Sequence, residues 1–272
     1  MIIRSKENQL YKFILSLGTK KGRDKAAAFI IEGERFVREA LEYCQVSHIA
    51  LSESYAAKNT PPFFMEKQVV FSDGLFNSIA ATEHTQGILA VCEKTFSAPD
   101  ISVEGKHGRL FLLVEDINDP GNLGAIIRAA DAAGVDAIWL SPGCADLYNP
   151  KVLRGAAGSA LHLPVVEGAD LRSVISGMKD NGVAVYAAHL AGAAYPYGLD
   201  LTDCCAFLIG NEARGLKSET AALADVFIKL PMIGKAESLN AAMAAGILLY
   251  EALRQRIMVN KPERCPNKGA GQ

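Results

Sequence analysis

Residues 110–134, LFLLVEDINDPGNLGAIIRAADAAG, decide the fold. Leu110 to Val114 is an unbroken apolar run of one strand's length, the pattern of a strand buried on both faces of a sheet. Leu123 to Ala133 repeats apolar residues at helical spacing and stops at Gly134, a residue suited to the left-handed turn that closes a helix. Asp119 and Asn122 can each cap this helix, and Pro120 suits its first turn. The turn lies outside the carboxyl end of the strand, which is where ligands meet open α/β sheets. Asn122 and Arg128 are six residues apart. That is close to two turns and within about 120° around the helix, so both can serve one site.

Strands and helices alternate on either side of this stretch. Downstream, Ala137 to Leu140, Val183 to Ala187, Ala206 to Ile209 and Val226 to Leu230 read as strands, and Leu239 to Ile257 as a long closing helix. Upstream, Leu10, Phe13, Ile14 and Leu17 share a helical face, as do Phe36, Val37, Ala40 and Leu41 within Glu34 to Tyr43. Short apolar runs at Phe29 to Ile31, Val46 to Leu51, Val69 to Phe71 and Ile88 to Val91 read as strands. Between Lys94 and Arg109 the chain is polar and broken by Pro99, Gly105 and Gly108, as in a linker. Two α/β domains are expected, 1–100 and 109–260, the second with a predominantly parallel sheet under helices.

The composition suits a soluble two-domain chain: 272 residues, half of them hydrophobic, with 28 Lys and Arg against 30 Asp and Glu. The six cysteines include no C-x-x-C pair and the five histidines are scattered, so no metal site is expected. No basic-then-apolar leader opens the chain, and no apolar stretch reaches the ~20 residues that cross a bilayer. A reducing, cytoplasmic setting without a membrane partner is expected. The net charge of −2 conceals basic ends. Arg4, Lys6, Lys12, Lys20, Lys21, Arg23 and Lys25 face only Glu7 and Asp24, and Arg254, Arg256, Lys261, Arg264 and Lys268 face Glu263. These are either solvated surfaces or patches that neutralise phosphates.

Two further segments follow strand patterns. In Gly210-Asn211-Glu212-Ala213-Arg214-Gly215, Gly210 lets a ligand approach the backbone and Glu212 sets a carboxylate at the strand's end. In Leu230 to Asn240, Ser238 is a candidate cap for the last helix, while Met232 and Ile233 are core residues by type. Together, NLGAIIRAA (122–130), LIGNEARGL (208–216) and LPMIGKAESLNAA (230–242) resemble, in order, the three motifs of the SpoU or TrmH-like RNA ribose methyltransferases of the SPOUT superfamily. Phe29 to Gly33 and the helix after it look like the small L30e-like RNA substrate-binding domain that precedes many of them.

The resemblance implies a SPOUT α/β domain with a C-terminal trefoil knot, a homodimer, and S-adenosyl-L-methionine as cofactor. It places Ala188, Gly210, Leu230, Ile233 and Leu239 against the cofactor, with His189 beside Ala188. It places Asn122, Arg128, Glu212, Ser238 and Asn240 in the catalytic set. A guanidinium with a pKa above ~12 is a poor base, so Arg128 is expected to position the ribose and its phosphate. The implied activity is 2′-O-ribose methylation of RNA, of rRNA in preference to tRNA because a basic domain precedes the catalytic one. A catalytically silent RNA-binding protein is the alternative, and the intact polar motif positions argue against it. A doubly wound small-molecule enzyme would need a glycine-rich turn after Leu110 to Val114, and none is present.

Overall fold

Strands whose residues are apolar without alternation have no face to offer water, so they take the centre of the sheet and need cover on both sides. The computed structural model describes residues 2–59, 68–94, 99–104 and 108–259. It contains β1 (Ile2–Ile3), α1 (Gln9–Ser16), α2 (Lys20–Ala26), β2 (Ala28–Glu32), α3 (Glu34–Tyr43), β3 (Val46–Ser52), α4 (Glu53–Lys58), β4 (Gln68–Phe71), α5 (Asp73–Ile79) and β5 (Ile88–Glu93). These are followed by β6 (Leu110–Val114), α6 (Pro120–Ala132), β7 (Ala137–Leu140), α7 (Pro150–Ala156), β8 (Val165–Val166), α8 (Leu171–Asp180), β9 (Ala184–Ala188), β10 (Cys205–Ile209), α9 (Ser218–Ala221), β11 (Val226–Ile228) and α10 (Ala241–Val259). Two units form, Met1–Ala98 with Asp119–Arg128 and Ala145–Pro164, and Pro99–Asn118 with Ala129–Cys144 and Val165–Gln272.

The first unit is built on a mixed sheet in the order β1-β4-β3-β5-β2. Successive side chains of a strand point to opposite faces, and here both faces are covered. Leu89 and Val91 of β5 join Tyr11, Ile14, Phe71 and Phe76 on one side. Ile88, Ala90 and Cys92 join Val37, Ala40 and Ile49 on the other. Within the same unit α6 and α7 touch backbone to backbone, because a Cβ on Gly124 would lie 2.7 Å from the Val152 carbonyl oxygen.

One residue of the basic N-terminal stretch is not available to phosphates. Arg23 of α2 is turned inward, donating to the Leu17 carbonyl at 2.8 Å and pairing with the Asp146 carboxylate. The two side chains are 4% and 8% exposed. Removing one partner of such a pair strands the other charge in a medium that solvates it poorly. Arg23→Ala is therefore expected to cost about 3–5 kcal/mol in urea unfolding, while a paired Arg23→Met, Asp146→Leu chain recovers most of it.

The second unit carries a six-stranded sheet in the order β11-β9-β10-β6-β7-β8, with every pair parallel. Strands β6, β7 and β8 progress outward on one side, then the chain crosses to β9 and returns to set β10 against β6. The order thus reverses between β6 and β10, and the loops leaving their carboxyl ends border the crevice where α/β sheets bind ligands. Both strands are buried at all five residues.

Helix α10 buries Ala241, Ala245, Leu248, Leu249 and Ala252 and exposes Met243 and Tyr250 on another face. The segment 189–203 is bonded to both β11 and α10. His189 N–H donates to the Ile228 carbonyl at 2.9 Å, and Gln255 Nε2 donates to that of Leu199 at 3.1 Å. The C-terminal basic group is also partly spent inside the protein. Arg256 donates to the carbonyls of Leu201 and Asp203, and Arg254 pairs with Glu251. Lys261, Arg264 and Lys268 lie outside the described residues. Among the described residues, no helix is long and apolar enough to cross a membrane.

Candidate active site

Strand β10 ends at Ile209 and the chain turns at once through Gly210. A Cβ there would lie 2.5 Å from both the Gly215 carbonyl carbon and the Leu216 nitrogen, so any side chain forces the turn open. Asn211 and Gly215 exchange both backbone hydrogen bonds, at 3.1 and 2.9 Å. The Asn211 side chain knits the turn, donating to the Asp116 carbonyl at 2.8 Å and accepting from the backbone of Ala213 and Arg214. Two acids at the end of β6 hold the far side. The Glu115 carboxylate, in a residue only 3% exposed, accepts from Lys217 N–H at 2.8 Å and from the Thr220 hydroxyl at 2.6 Å. Asp116 pairs with the Lys217 ammonium at 2.8 Å and is bonded by Ser141.

The Lys217 hydrogen bond holds the Asp116 carboxyl below its ordinary range, against a smaller opposing effect of burial. A depressed folded value contributes stability above the carboxyl's ordinary value of about 4, and that stability is lost as pH falls through the lowered value. Lys217 is half exposed, so the contribution is under about 1 kcal/mol. Protection of the amides of residues 210–217, taken relative to the intrinsic exchange rate at each pH, should fall as the solution is taken below about pH 4, and Asp116→Asn should abolish that loss.

Between this turn and the segment entering α10 lies a cleft of about 370 Å³, within the ~300–1,000 Å³ of small-molecule sites. It gathers Ala188, Gly210, Glu212, Leu230, Ser238 and Leu239, six of the ten residues singled out above. Asn240 is the cap of α10, accepting from Ala242 and Met243 N–H. The cap expected of Ser238 is thus supplied two residues later, and Ser238 lines the cleft instead. Ile233, a core residue by type, is 98% exposed and does not line the cleft. Asn122 and Arg128 lie in the first unit. Asp119 caps α6 by accepting from Asn122 N–H at 2.8 Å, and Arg128 is exposed on that helix.

His189 also lines the cleft. Its ring stacks on Phe227 at 5.0 Å, and Nδ1 accepts from Ala191 N–H, which leaves the neutral ring's proton on Nε2. Sequence reasoning missed Glu115, Asp116, Asn211 and Lys217. The available signal was a pair of acids ending a wholly apolar strand.

Residues 109–250 match the SpoU rRNA Methylase family, and residues 8–90 match the MRM3-like substrate binding domain. The chain belongs to the SpoU family. Among its SpoU relatives, the 23S rRNA (guanosine(2553)-2′-O)-methyltransferase RlmP of Bacillus subtilis is 38% identical over 91% of this chain and 97% of its own length. The 23S rRNA (uridine(2479)-2′-O)-methyltransferase of Streptomyces viridochromogenes is 30% identical over 94% of this chain and 92% of its own. The solved SpoU methyltransferase AviRb of Streptomyces viridochromogenes, in complex with the cofactor AdoMet, superposes with a TM-score of 0.81 at 29% identity. That match covers 92% of this chain and 99% of AviRb.

The SpoU cofactor is S-adenosylmethionine, and the cleft's chemistry fits it. Leu230, Leu239, Leu216 and Ile228 offer apolar walls for a purine, the turn at Gly210 presents backbone against which no side chain intrudes, and Glu212 brings a carboxylate to a cationic ligand. When bound, S-adenosylmethionine supplies an electrophilic methyl group on a sulfonium.

Proposed function

We propose that this chain transfers a methyl group from S-adenosylmethionine to a ribose 2′-hydroxyl of RNA, and that the RNA is ribosomal. The carrying observation is the convergence of Gly210, Glu212, Leu230, Ser238 and Leu239 on one cleft at the carboxyl ends of β9 and β10. The names of the relatives favour rRNA over tRNA, and since one modifies a guanosine and the other a uridine, the base identity does not carry over.

A 2′-hydroxyl is a weak nucleophile, so the chain's task is to align it with the methyl group and ease loss of its proton. Arg128 holds the ribose hydroxyl and its phosphate, since a guanidinium presents a planar fork of donors and does not deprotonate. Asn122 orients the ribose, Ser238 hydrogen-bonds near the reacting group, and Glu212 anchors the motif loop. Asn240, by capping α10, fixes the backbone that carries Ser238. Ala188, Gly210, Leu230 and Leu239 hold the cofactor, and Ile233, exposed and off the cleft, is left out of that set.

We assign RNA recognition to 1–100 and catalysis to 109–260. The bonds from 189–203 to both β11 and α10 support a trefoil knot in which the C-terminal segment threads that loop. The exposed Met243 and Tyr250 on α10 support a homodimer, and the free thiols of the described cysteines suit a cytoplasmic enzyme.

Purified protein given tritiated S-adenosylmethionine and total cellular RNA should label the ribosomal fraction. Label confined to tRNA would overturn the choice of substrate. Cofactor binding without label in any RNA would overturn the enzymatic reading in favour of a silent RNA-binding protein.

A further inference from the structure

Outside the cofactor cleft, the first unit holds a second cavity of about 370 Å³. Its floor is apolar, made by Leu17, Ile30 and Ile79, and three cations line it, Arg23, Lys151 and Arg154. No carboxylate lines it among the described residues. Arg23 is neutralised by Asp146, so Lys151 and Arg154 supply the cavity's charge. Both are exposed, and Asn149 fixes the start of their helix by accepting from Lys151 N–H at 2.9 Å. Glu32, on a small cavity that shares Arg154, is already bonded by Ala81 N–H and Thr82. A second observation also points to a ligand. The Arg23 Nε is a buried donor with no partner among the described residues. Buried donors are normally satisfied, and an exception calls for a missing acceptor.

An apolar floor under Lys151 and Arg154, which have no carboxylate partner among the described residues, suits neither a bare ion nor a hydrophobic peptide. It suits a nucleotide turned out of its stack, the form in which RNA is read by proteins, with the base on the floor and the phosphate on the cations. We propose that this cavity of the first unit is a substrate subsite that takes one unpaired nucleotide of the RNA, its phosphate held by Lys151 and Arg154. The subsite rests on the reading of the chain as an RNA methyltransferase and adds to it the place where the substrate is gripped away from the cofactor cleft.

The test is anisotropy titration of the full chain with a labelled single-stranded RNA oligonucleotide and with its duplex, over a range of salt. Each phosphate contact to a single strand contributes a salt slope of about 0.7. The K151A/R154A chain should bind the single strand at least about tenfold more weakly, with the slope reduced by about 0.7, the share of one phosphate. Its affinity for S-adenosylmethionine should stay within about twofold of the wild type's, which shows that it is folded. Unchanged affinity and slope would overturn the subsite. So would an equal loss in Arg172→Ala, which removes a cation paired with Glu219 in the second unit. Equal binding of duplex and single strand by the wild type would overturn the unpaired nucleotide. A wild-type chain that binds no RNA at all would instead overturn the methyltransferase reading.

Discussion

Alanine in place of Arg128 is expected to lower methyl transfer to RNA at least about a hundredfold, the scale of effect seen when a reacting group is misplaced by an ångström. Affinity for S-adenosylmethionine should remain within a few fold, because Arg128 is exposed on α6 and is not among the cleft's lining residues. Lysine should rescue little, since an ammonium keeps the charge but loses the planar fork that can hold a hydroxyl and a phosphate together. Single-turnover rates with saturating cofactor, set beside calorimetric cofactor binding, separate the two quantities. A parallel loss of both would make Arg128 a structural residue and remove it from the reaction.

Gly210→Ala is expected to weaken cofactor binding by tenfold or more, about 1.4 kcal/mol. The added Cβ would sit 2.5 Å from backbone atoms of Gly215 and Leu216, which cannot rotate aside as a side chain would. The turn is pinned from within by the Asn211–Gly215 bonds and from outside by Asp116, so relief must come from opening the cleft wall. Overpacking of this kind costs about 1–3 kcal/mol. Gly234→Ala is the comparator, because a Cβ there meets nothing within 4 Å. It should bind the cofactor as the wild type does. Equal affinities for the two variants would show that the Gly210 turn does not shape the cofactor site.

Where burial alone decides structure, the sequence is transparent. Leu110 to Val114 and Ala137 to Leu140 form strands with those bounds, and Glu34 to Tyr43 forms a helix, because their apolar patterns admit one period only. Helix α2, KKGRDKA, has no such pattern. It is set by the Thr19 hydroxyl, which accepts from Gly22 N–H, and by the inward turn of Arg23 onto a carboxylate 123 residues away. The site divides in the same way. Gly210 and Glu212 are legible because a strand end and a glycine turn are local features. Glu115 is not, since its partners Lys217 and Thr220 lie 102 and 105 residues further on. The Ser238 cap failed for a local reason, as Asn240 stands two residues nearer the first helical turn and an asparagine caps as well as a serine.

The methyl group is expected on a ribose 2′-oxygen. The most direct measurement is mass spectrometry of nucleosides from ribosomal RNA incubated with the purified chain and deuterium-labelled S-adenosylmethionine. The expected result is one labelled nucleoside carrying the methyl on its sugar fragment, within a dinucleotide that resists alkali and is absent from reactions with Arg128→Ala. Label on the base fragment, or no labelled nucleoside despite a cofactor-saturated protein, would contradict it.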